Sequence, residues 1–411
     1  MEVFSTRQPI FDRDKEAYGY ELLFRRGFED YYNSLGVQHD SLDLMALVNF
    51  SELADGKKGL ATFTRNLLLR DLPTVLPKEM VLVGIPAGIG VDQDVIGACE
   101  RLAAAQYELV LDDLPADGLD SPLVRLASIV RVDFSIMQPE QGREICRRLE
   151  QHGIAALAKK VDNTDQFYRA LEAGFGYFQG SFFTKPVISD SHDLAGNELA
   201  YARLLCEVNR PELSLDDLAD IIRGDPLMTY HLLKFINSAW FGVRCVVNSV
   251  QHALVLIGPK ETRRWASMLV IRKLGQDKPT ELLLRSLIRA KVAEAIAPLA
   301  NMRQHTPELF LLGLFSSLDA ILNRPLDELL KNLPIDERVT AALLGQSGPF
   351  RNVLDLILCY EEGDWDSLAC CAQRLSLDEQ ALPPQFKQAI TWANKTLGLL
   401  EETEAPKAQT A

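Results

Sequence analysis

Carboxylate, amide and ammonium side chains close a series of short apolar runs in this sequence, and their types and spacing could do chemistry. Glu21 ends one run, Asp112 and Asp113 end another, and Asp133, Lys159 and Gln179 end three more. Carboxylates that converge on one rim offer the oxygen ligands that Mg²⁺ or Mn²⁺ prefers, and a cation held that way activates water. An adjacent Asp-Asp pair also opens helices, so that spacing alone says little. Polar residues recurring at the same end of successive runs are what point to a pocket.

The elements that must position these residues alternate. Strands are expected at 59–64, 80–85, 108–112, 129–133, 154–158 and 176–179, with helix-period segments at 42–50, 95–105 and 141–152 between them. Strand and helix in repeated alternation mean a mainly parallel sheet, and in a β/α barrel the C-terminal rim of the strands is where sites are built. Ahead of the repeats, residues 4–10 and 17–24 flank Asp12-Arg13-Asp14-Lys15, which reads as a hairpin that starts the domain.

After Lys185-Pro186 the texture changes, and almost every segment to residue 400 has helical periodicity. Helix starts are signalled at Ser214-Leu215-Asp216-Asp217, Asp225-Pro226 and Thr306-Pro307-Glu308. The expected architecture is α/β followed by all-α: a barrel over 1–190, a linker over 191–197, a helical domain over 198–400 and a disordered tail over 401–411. A chain of 411 residues is long enough for two or three domains, each with its own core.

Composition excludes several classes. Lys and Arg number 43 against 57 Asp and Glu, a net charge of −14, which argues against a dedicated nucleic-acid or anionic-membrane binder. Arg263-Arg264-Trp265 is the one basic-aromatic cluster. No apolar run reaches membrane-spanning length, and residues 1–5 carry no signal-peptide pattern, so a cytoplasmic location is expected. The seven cysteines are scattered without a Cys-x-x-Cys pair and read as reduced thiols.

In order and spacing, Gln8-Pro9-Ile10, Glu21-Leu22-Leu23-Phe24-Arg25, Leu111-Asp112-Asp113, Val130-Arg131-Val132-Asp133 and Phe178-Gln179-Gly180 with Lys185-Pro186 resemble the motifs of the EAL domain family. That resemblance implies a TIM-like β/α barrel and, in intact members, metal-dependent hydrolysis of cyclic-di-GMP. Carried over by position, the metal-binding Glu is Glu21 and the Asp pair is Asp112 and Asp113. An Asn ligand falls on Thr62, another ligand on Val83, a loop-stabilising acid on Pro86, a Lys on Arg131 and the general-base Glu on Lys159. Val83 cannot ligate a metal, and a charged ammonium at Lys159 cannot accept a proton.

The expectation is therefore a degenerate pocket with no catalytic residue and no cofactor. Mg²⁺ or Mn²⁺ enters only if the site is a phosphodiesterase after all. Lys159 either sits among Glu21, Asp112 and Asp113, sharing with Arg131 the place of the missing cations, or points to solvent as long lysines readily do. Arg25, Arg131 and Gln179 stay available as contacts for a phosphate or base, although loss of the metals should weaken cyclic-di-GMP binding sharply.

The helical half carries a second resemblance. Residues 225–242, from Asp225-Pro226 to Trp240-Phe241-Gly242, and 250–258, Val250 to Gly258, resemble the core of the HDOD domain. That family is similar to the HD phosphohydrolases without their metal ligands and is associated with signalling and protein interaction. The only His-Asp dipeptides, His39-Asp40 and His192-Asp193, lie outside this core, and His231, His252 and His305 have no adjacent Asp, so no metal is assigned. Trp240 and Phe241 are candidate partner-surface anchors.

Together the two resemblances imply an EAL-HDOD protein: a non-catalytic bacterial signalling protein acting through other signalling proteins. A phosphodiesterase and a cyclic-di-GMP sensor that binds without hydrolysis are the alternatives, and a homodimer is left open.

Overall fold

The computed structural model describes residues 4–25, 27, 50–112, 118–185, 201, 204–210, 214–237, 247–331 and 333–401. The expected linker over 191–197, nearly all of the expected helix over 42–50 and the tail beyond Glu401 lie outside the described residues. The chain divides into two compact units, one of residues 1–185 with Leu358–Ala369 and one of residues 186–357 with 370–411.

Eight strands close a barrel in the first unit: β1 (Ser5–Phe11), β2 (Ala17–Phe24), β3 (Lys58–Thr62), β4 (Val81–Ile85), β5 (Glu108–Leu111), β6 (Ile129–Asp133), β7 (Ala155–Lys159) and β8 (Tyr177–Phe178). Strands β2 to β8 run parallel, whereas β1 is antiparallel to both β2 and β8 and closes the ring through Phe11 opposite Phe178. The expected hairpin is β1–β2. Asp12 Oδ1 accepts the backbone N–H groups of Asp14 and Glu16, both at 2.9 Å, and Lys15 takes the left-handed φ of 63° that the tight reversal needs. Helices α1 (Arg65–Leu69), α2 (Gln93–Ala104), α3 (Pro139–Glu150) and α4 (Thr164–Ala173) alternate with the strands. Caps set their starts: Asp92 accepts from Val95 N and Asn163 from Gln166 N.

Six strands each give one buried inward residue to the barrel core, Ile10, Leu60, Leu82, Val110, Ile129 and Leu157, and the partly buried Tyr18 of β2 and Tyr177 of β8 pack against them. Because side chains alternate faces along a strand, the residue two positions on points to the same interior, one layer nearer the C-terminal rim. That layer reads Thr62, Gly84, Asp112, Arg131 and Lys159.

Leu358–Ala369, expected in the helical domain, clusters with the barrel unit. The physical reason is a small aromatic nest: the Phe4 ring lies 6.4 Å from Tyr360 and 6.1 Å edge-on from Trp365, and Thr6 Oγ1 donates to Glu361 O.

The second unit is helical: α5 (Leu215–Arg223), α6 (Pro226–Ile236), α7 (Val250–Leu274), α8 (Thr280–Leu299), α9 (Thr306–Phe315), α10 (Leu318–Leu322), α11 (Leu326–Lys331), α12 (Glu337–Leu343), most of α13 (Pro349–Glu362), the end of α14 (Trp365–Arg374) and α15 (Leu382–Glu401). Ser214 caps α5 by accepting from Asp217 N, and Asp225 accepts from Met228 N at the start of α6, as expected. Thr306 differs: it lies inside the first turn of α9, and its hydroxyl donates to Arg303 O instead of capping. Gly258 breaks α7 at φ 77°, and Pro259 starts the helix again. Asn237 ends α6 by donating to Val247 O and accepting from Val247 N, at 2.7 and 2.8 Å.

The basic-aromatic cluster is spent inside this unit. Arg263 donates to the carbonyls of Val208 and Arg210, Trp265 is buried, and Arg264 pairs with Glu294 while stacking on Phe310 and Trp392.

Helices α8 and α9 approach so closely at Gly313 that a Cβ there would sit 2.4 Å from the backbone of Arg289 and Ala290. Gly313→Ala is therefore expected to destabilise the helical unit by about 1–3 kcal/mol through overpacking, despite a helix-propensity gain of about 1 kcal/mol. Chemical denaturation followed by far-UV circular dichroism measures it, and a neutral or stabilising substitution would show that the two backbones can part freely.

Candidate functional site

The rim layer of the barrel collects the candidate residues. Glu21 sits near the middle of β2, opposite Gln8 of β1 and Leu60 of β3. Arg131 lies on β6 one inward step past Ile129. Asp112 is the first residue after β5, and its N–H donates to Ile85 O at 3.0 Å. Lys159 is the last residue of β7 and stands opposite Asp133.

Gln179 follows β8. Its N–H donates to Ala158 O and its carbonyl accepts from Val161 N, at 2.8 and 3.0 Å. The next residue has to be glycine: Gly180 sits at φ 150°, and a Cβ there would lie 2.2 Å from Val161 O. The Phe-Gln-Gly run is thus a device that presses the Gln179 backbone onto the loop after β7.

Arg131 is the hub. Its side chain is 2% exposed, and it grips Glu21 with both terminal nitrogens: Nη1 donates to Oε1 at 2.9 Å and Nη2 to Oε2 at 2.7 Å. Nη2 also donates to Gln179 Oε1 at 2.9 Å and Nη1 to Asp112 Oδ2 at 3.4 Å. Gln179 closes the ring by donating from Nε2 to Glu21 Oε2 at 2.6 Å. Lys159 Nζ donates to the other oxygen of Asp112, Oδ1, at 2.9 Å.

Burial pushes the Glu21 carboxyl pKa up. The charge and hydrogen bonds of Arg131, the amide of Gln179 and the charge of Lys159 outweigh that and hold it below the usual carboxylate range. Beside this network, Asp133 accepts from Lys160 Nζ at 2.6 Å and from the Ser135 backbone at 3.0 Å. Burial raises its pKa, and these hydrogen bonds with Lys160 and Ser135 bring it below its ordinary value.

The structure brings Glu21, Asp112, Arg131, Lys159 and Gln179 together. Lys159 was expected among Glu21, Asp112 and Asp113, and its close ion pair is with Asp112. Thr62 holds a rim position on β3 and is exposed.

Three expectations are corrected. Val83 is not a pocket residue: it is fully buried and alternates with the inward Leu82, so it faces away from the barrel interior. The inward position beside Thr62 is Gly84, its register partner. Arg131 and Gln179, expected as phosphate or base contacts, are bonded to Glu21, and Arg131 takes the counter-charge role that was also expected of it. Arg25 lies past the end of β2, with its guanidinium 4.9 Å above the Phe4 ring. Asp113, Trp240 and Phe241 lie outside the described residues.

Gly84 is the inward rim position that motif matching missed. Counting by twos from Leu82 along β4 would have found it. A Cβ at Gly84 would meet Ala61 O at 2.9 Å and Leu60 Cδ1 at 3.2 Å, so the rim leaves no room for a ligand side chain there.

The donor set does not fit a pair of divalent cations. Glu21 presents both oxygens to a guanidinium, Asp112 presents both to cations, and Gly84 and Lys159 offer no oxygen. Among the described residues, no group of three or more His, Cys, Asp or Glu side chains is arranged to hold a metal. In the helical unit His231 is buried, His252 is exposed, and His305 lies against Arg338 and Gln304.

The buried pair carries a pH signature. Glu21 has a lower pKa folded than unfolded, so its contribution is fully present above its unfolded value, about 4.3, and is lost as pH falls through the folded value. Glu21→Gln is expected to cost about 3 kcal/mol or more at pH 7, because it strands a buried guanidinium. The gap to wild type should narrow below about pH 4. Urea unfolding across that range measures the gap, and a gap independent of pH would contradict the assignment.

Comparison with known proteins adds the family. Residues 199–331 match the HDOD domain. Over 409 residues the chain is 30% identical to the uncharacterized protein YuxH of Bacillus subtilis (strain 168), covering 97% of this chain and 99% of that one. It is 29% identical over 397 residues to the cyclic di-GMP phosphodiesterase CdgJ of Vibrio cholerae serotype O1, covering 95% and 92%. Among solved structures, the EAL domain protein of Listeria monocytogenes EGD-e aligns at 16% identity and a TM-score of 0.34, over 44% of this chain and 87% of that one. Full-length relatives, an HDOD match and an eight-strand barrel bearing the ordered EAL motifs lead to one conclusion: the chain belongs to the EAL-HDOD family.

Proposed function

We propose that this protein is a non-hydrolytic EAL-HDOD signalling protein, acting in cyclic-di-GMP-related signalling by binding other proteins. One observation carries the reading: two fixed cations, Arg131 and Lys159, engage the two carboxylates that a catalytic metal would need. Phosphodiester hydrolysis at such a rim needs cations to neutralise the phosphate, a metal-bound water of lowered pKa and a base to remove its proton. Lys159, paired with Asp112, stands where the family motif carries its general-base Glu, and loss of a general base alone is worth about 10²- to 10⁴-fold in rate.

No helix among the described residues is long and apolar enough to cross a membrane, in keeping with action in the bacterial cytoplasm. The helical unit is the proposed partner-binding module. Tyr230 of α6 and Val255 and Leu256 of α7 are exposed on it, and such side chains are common anchors at protein interfaces.

Hydrolysis is the rival reading, favoured by the name of the Vibrio relative. Purified full-length protein incubated with cyclic-di-GMP and Mg²⁺ or Mn²⁺ is expected to form no linear dinucleotide above a protein-free control. Metal-dependent turnover that disappears in Asp112→Asn would overturn the proposal, and tight metal-free binding without turnover would recast the protein as a nucleotide sensor.

A further inference from the structure

The turn between α13 and α14, which clusters with the barrel unit, packs on the inner face of the β1–β2 pair. Thr6 stands opposite Leu23 and Gln8 opposite Glu21, with no break in register between the two pairs. Side chains two residues apart share a face, so Thr6 and Leu23 lie on the face of Glu21, about 7 Å nearer the open end of the rim. The turn is fastened there. Thr6 Oγ1 donates to Glu361 O at 3.3 Å, and a Cβ on Gly363 would lie 3.5 Å from both Thr6 Cγ2 and Leu23 Cδ1. Trp365 stands edge-on to Phe4 at 6.1 Å and to the buried Tyr360 at 5.5 Å.

The turn is also shaped in advance. Gly363 takes a left-handed φ of 72°, and the N–H groups of Gly363 and Asp364 donate to Tyr360 O and Cys359 O, which closes the end of α13. Asp364 then accepts from Ser367 N at 3.1 Å and caps α14. A turn held by its own hydrogen bonds loses little further freedom on docking.

Exposure around the rim is lopsided in the same sense. Thr6 on β1, Glu21 on β2 and Gln179 after β8 are buried, whereas Thr62 on β3 is exposed and Asp112 and Lys159 are partly exposed.

We infer that residues 361–365 are an occluding strap: a turn supplied by the C-terminal part of the chain closes the β1–β2 side of the barrel mouth against ligands. Approach to the rim over β1 and β2 is blocked by a segment 355 residues away from Thr6 in sequence. The strap goes beyond the function proposed above and holds whether or not the rim hydrolyses a phosphodiester.

Thiol labelling of the full-length Thr6→Cys variant with N-ethylmaleimide, resolved by peptide mass spectrometry, reads the cover directly. Residue 6 is expected to label slowly in this variant and about tenfold or more faster when Trp365→Ala is added, since truncating a packed Trp loosens what it holds. The native thiols of Cys99 and Cys146, buried in the barrel unit, should keep their rates. Labelling at residue 6 that is equally fast with and without Trp365, or equally slow in both folded variants, would overturn the strap. A parallel rise at Cys99 and Cys146 would overturn it too, because the barrel would then be opening as a whole. Should the Trp365→Ala chain fail to fold, Trp365→Phe keeps a ring against Phe4 and is expected to speed labelling by about 2- to 10-fold. An unchanged rate in that variant would count against the strap equally.

Discussion

A buried guanidinium gripping a buried carboxylate organises the barrel end of this protein. Neither Arg131 nor Glu21 could be taken out of water alone, because the desolvation of a single ion costs several kcal/mol. Together they are tolerated because both Arg131 terminal nitrogens find acceptors and both Glu21 oxygens find donors. The ring ties β2, β6 and the residue after β8 into one unit and fixes the position of Asp112 through Arg131 Nη1. What remains for Lys159 is the outer oxygen of Asp112. The chemistry of the rim follows from this order of occupancy: the deepest anion is neutralised first, by a cation that cannot leave.

That arrangement changes how the acidity of the site is to be understood. A rim with Glu21 and Asp112 reads in isolation as a cation site awaiting metal. With Arg131 and Lys159 in place the same carboxylates are neutralised from within the chain. The glycine at position 84 reinforces this, since a missing ligand and a filled space coincide there. The helical unit handles buried cations in a similar way: Arg264 lies between two aromatic rings and Glu294, and Arg289 donates to the hydroxyls of Ser316 and Ser317. In both units a basic residue that composition alone would advertise as a ligand contact is consumed by internal structure.

Much of the fold was legible because its signals are local. Six of the barrel strands appear as apolar runs that stop at polar residues, and the hairpin that precedes them is marked by Asp12 and Lys15, whose side-chain and backbone preferences make the turn. Ser214 and Asp225 cap their helices from positions the sequence pattern picks out. The mistakes also have physical causes. Thr306 was placed as a cap because Thr precedes Pro there, yet the chain enters α9 one residue earlier and the hydroxyl turns back to Arg303. Val83 was placed in the pocket because motif alignment ignores strand parity, and a shift of one residue along a strand exchanges its two faces.

The sequence by itself determined the β/α alternation, the helical second half and the presence of Thr62 and Lys159 where the family motifs carry Asn and Glu, since these depend on residue identity and on periods of two to four residues. Only the tertiary structure decided what the remaining polar groups do. Arg131 and Glu21 are 110 residues apart, Gln179 and Glu21 158, and Lys159 and Asp112 47. No local pattern relates such distant positions. Barrel closure does, because it brings the same-face residues of successive strands to one rim, where burial rewards only the combination in which every charge and amide finds a partner.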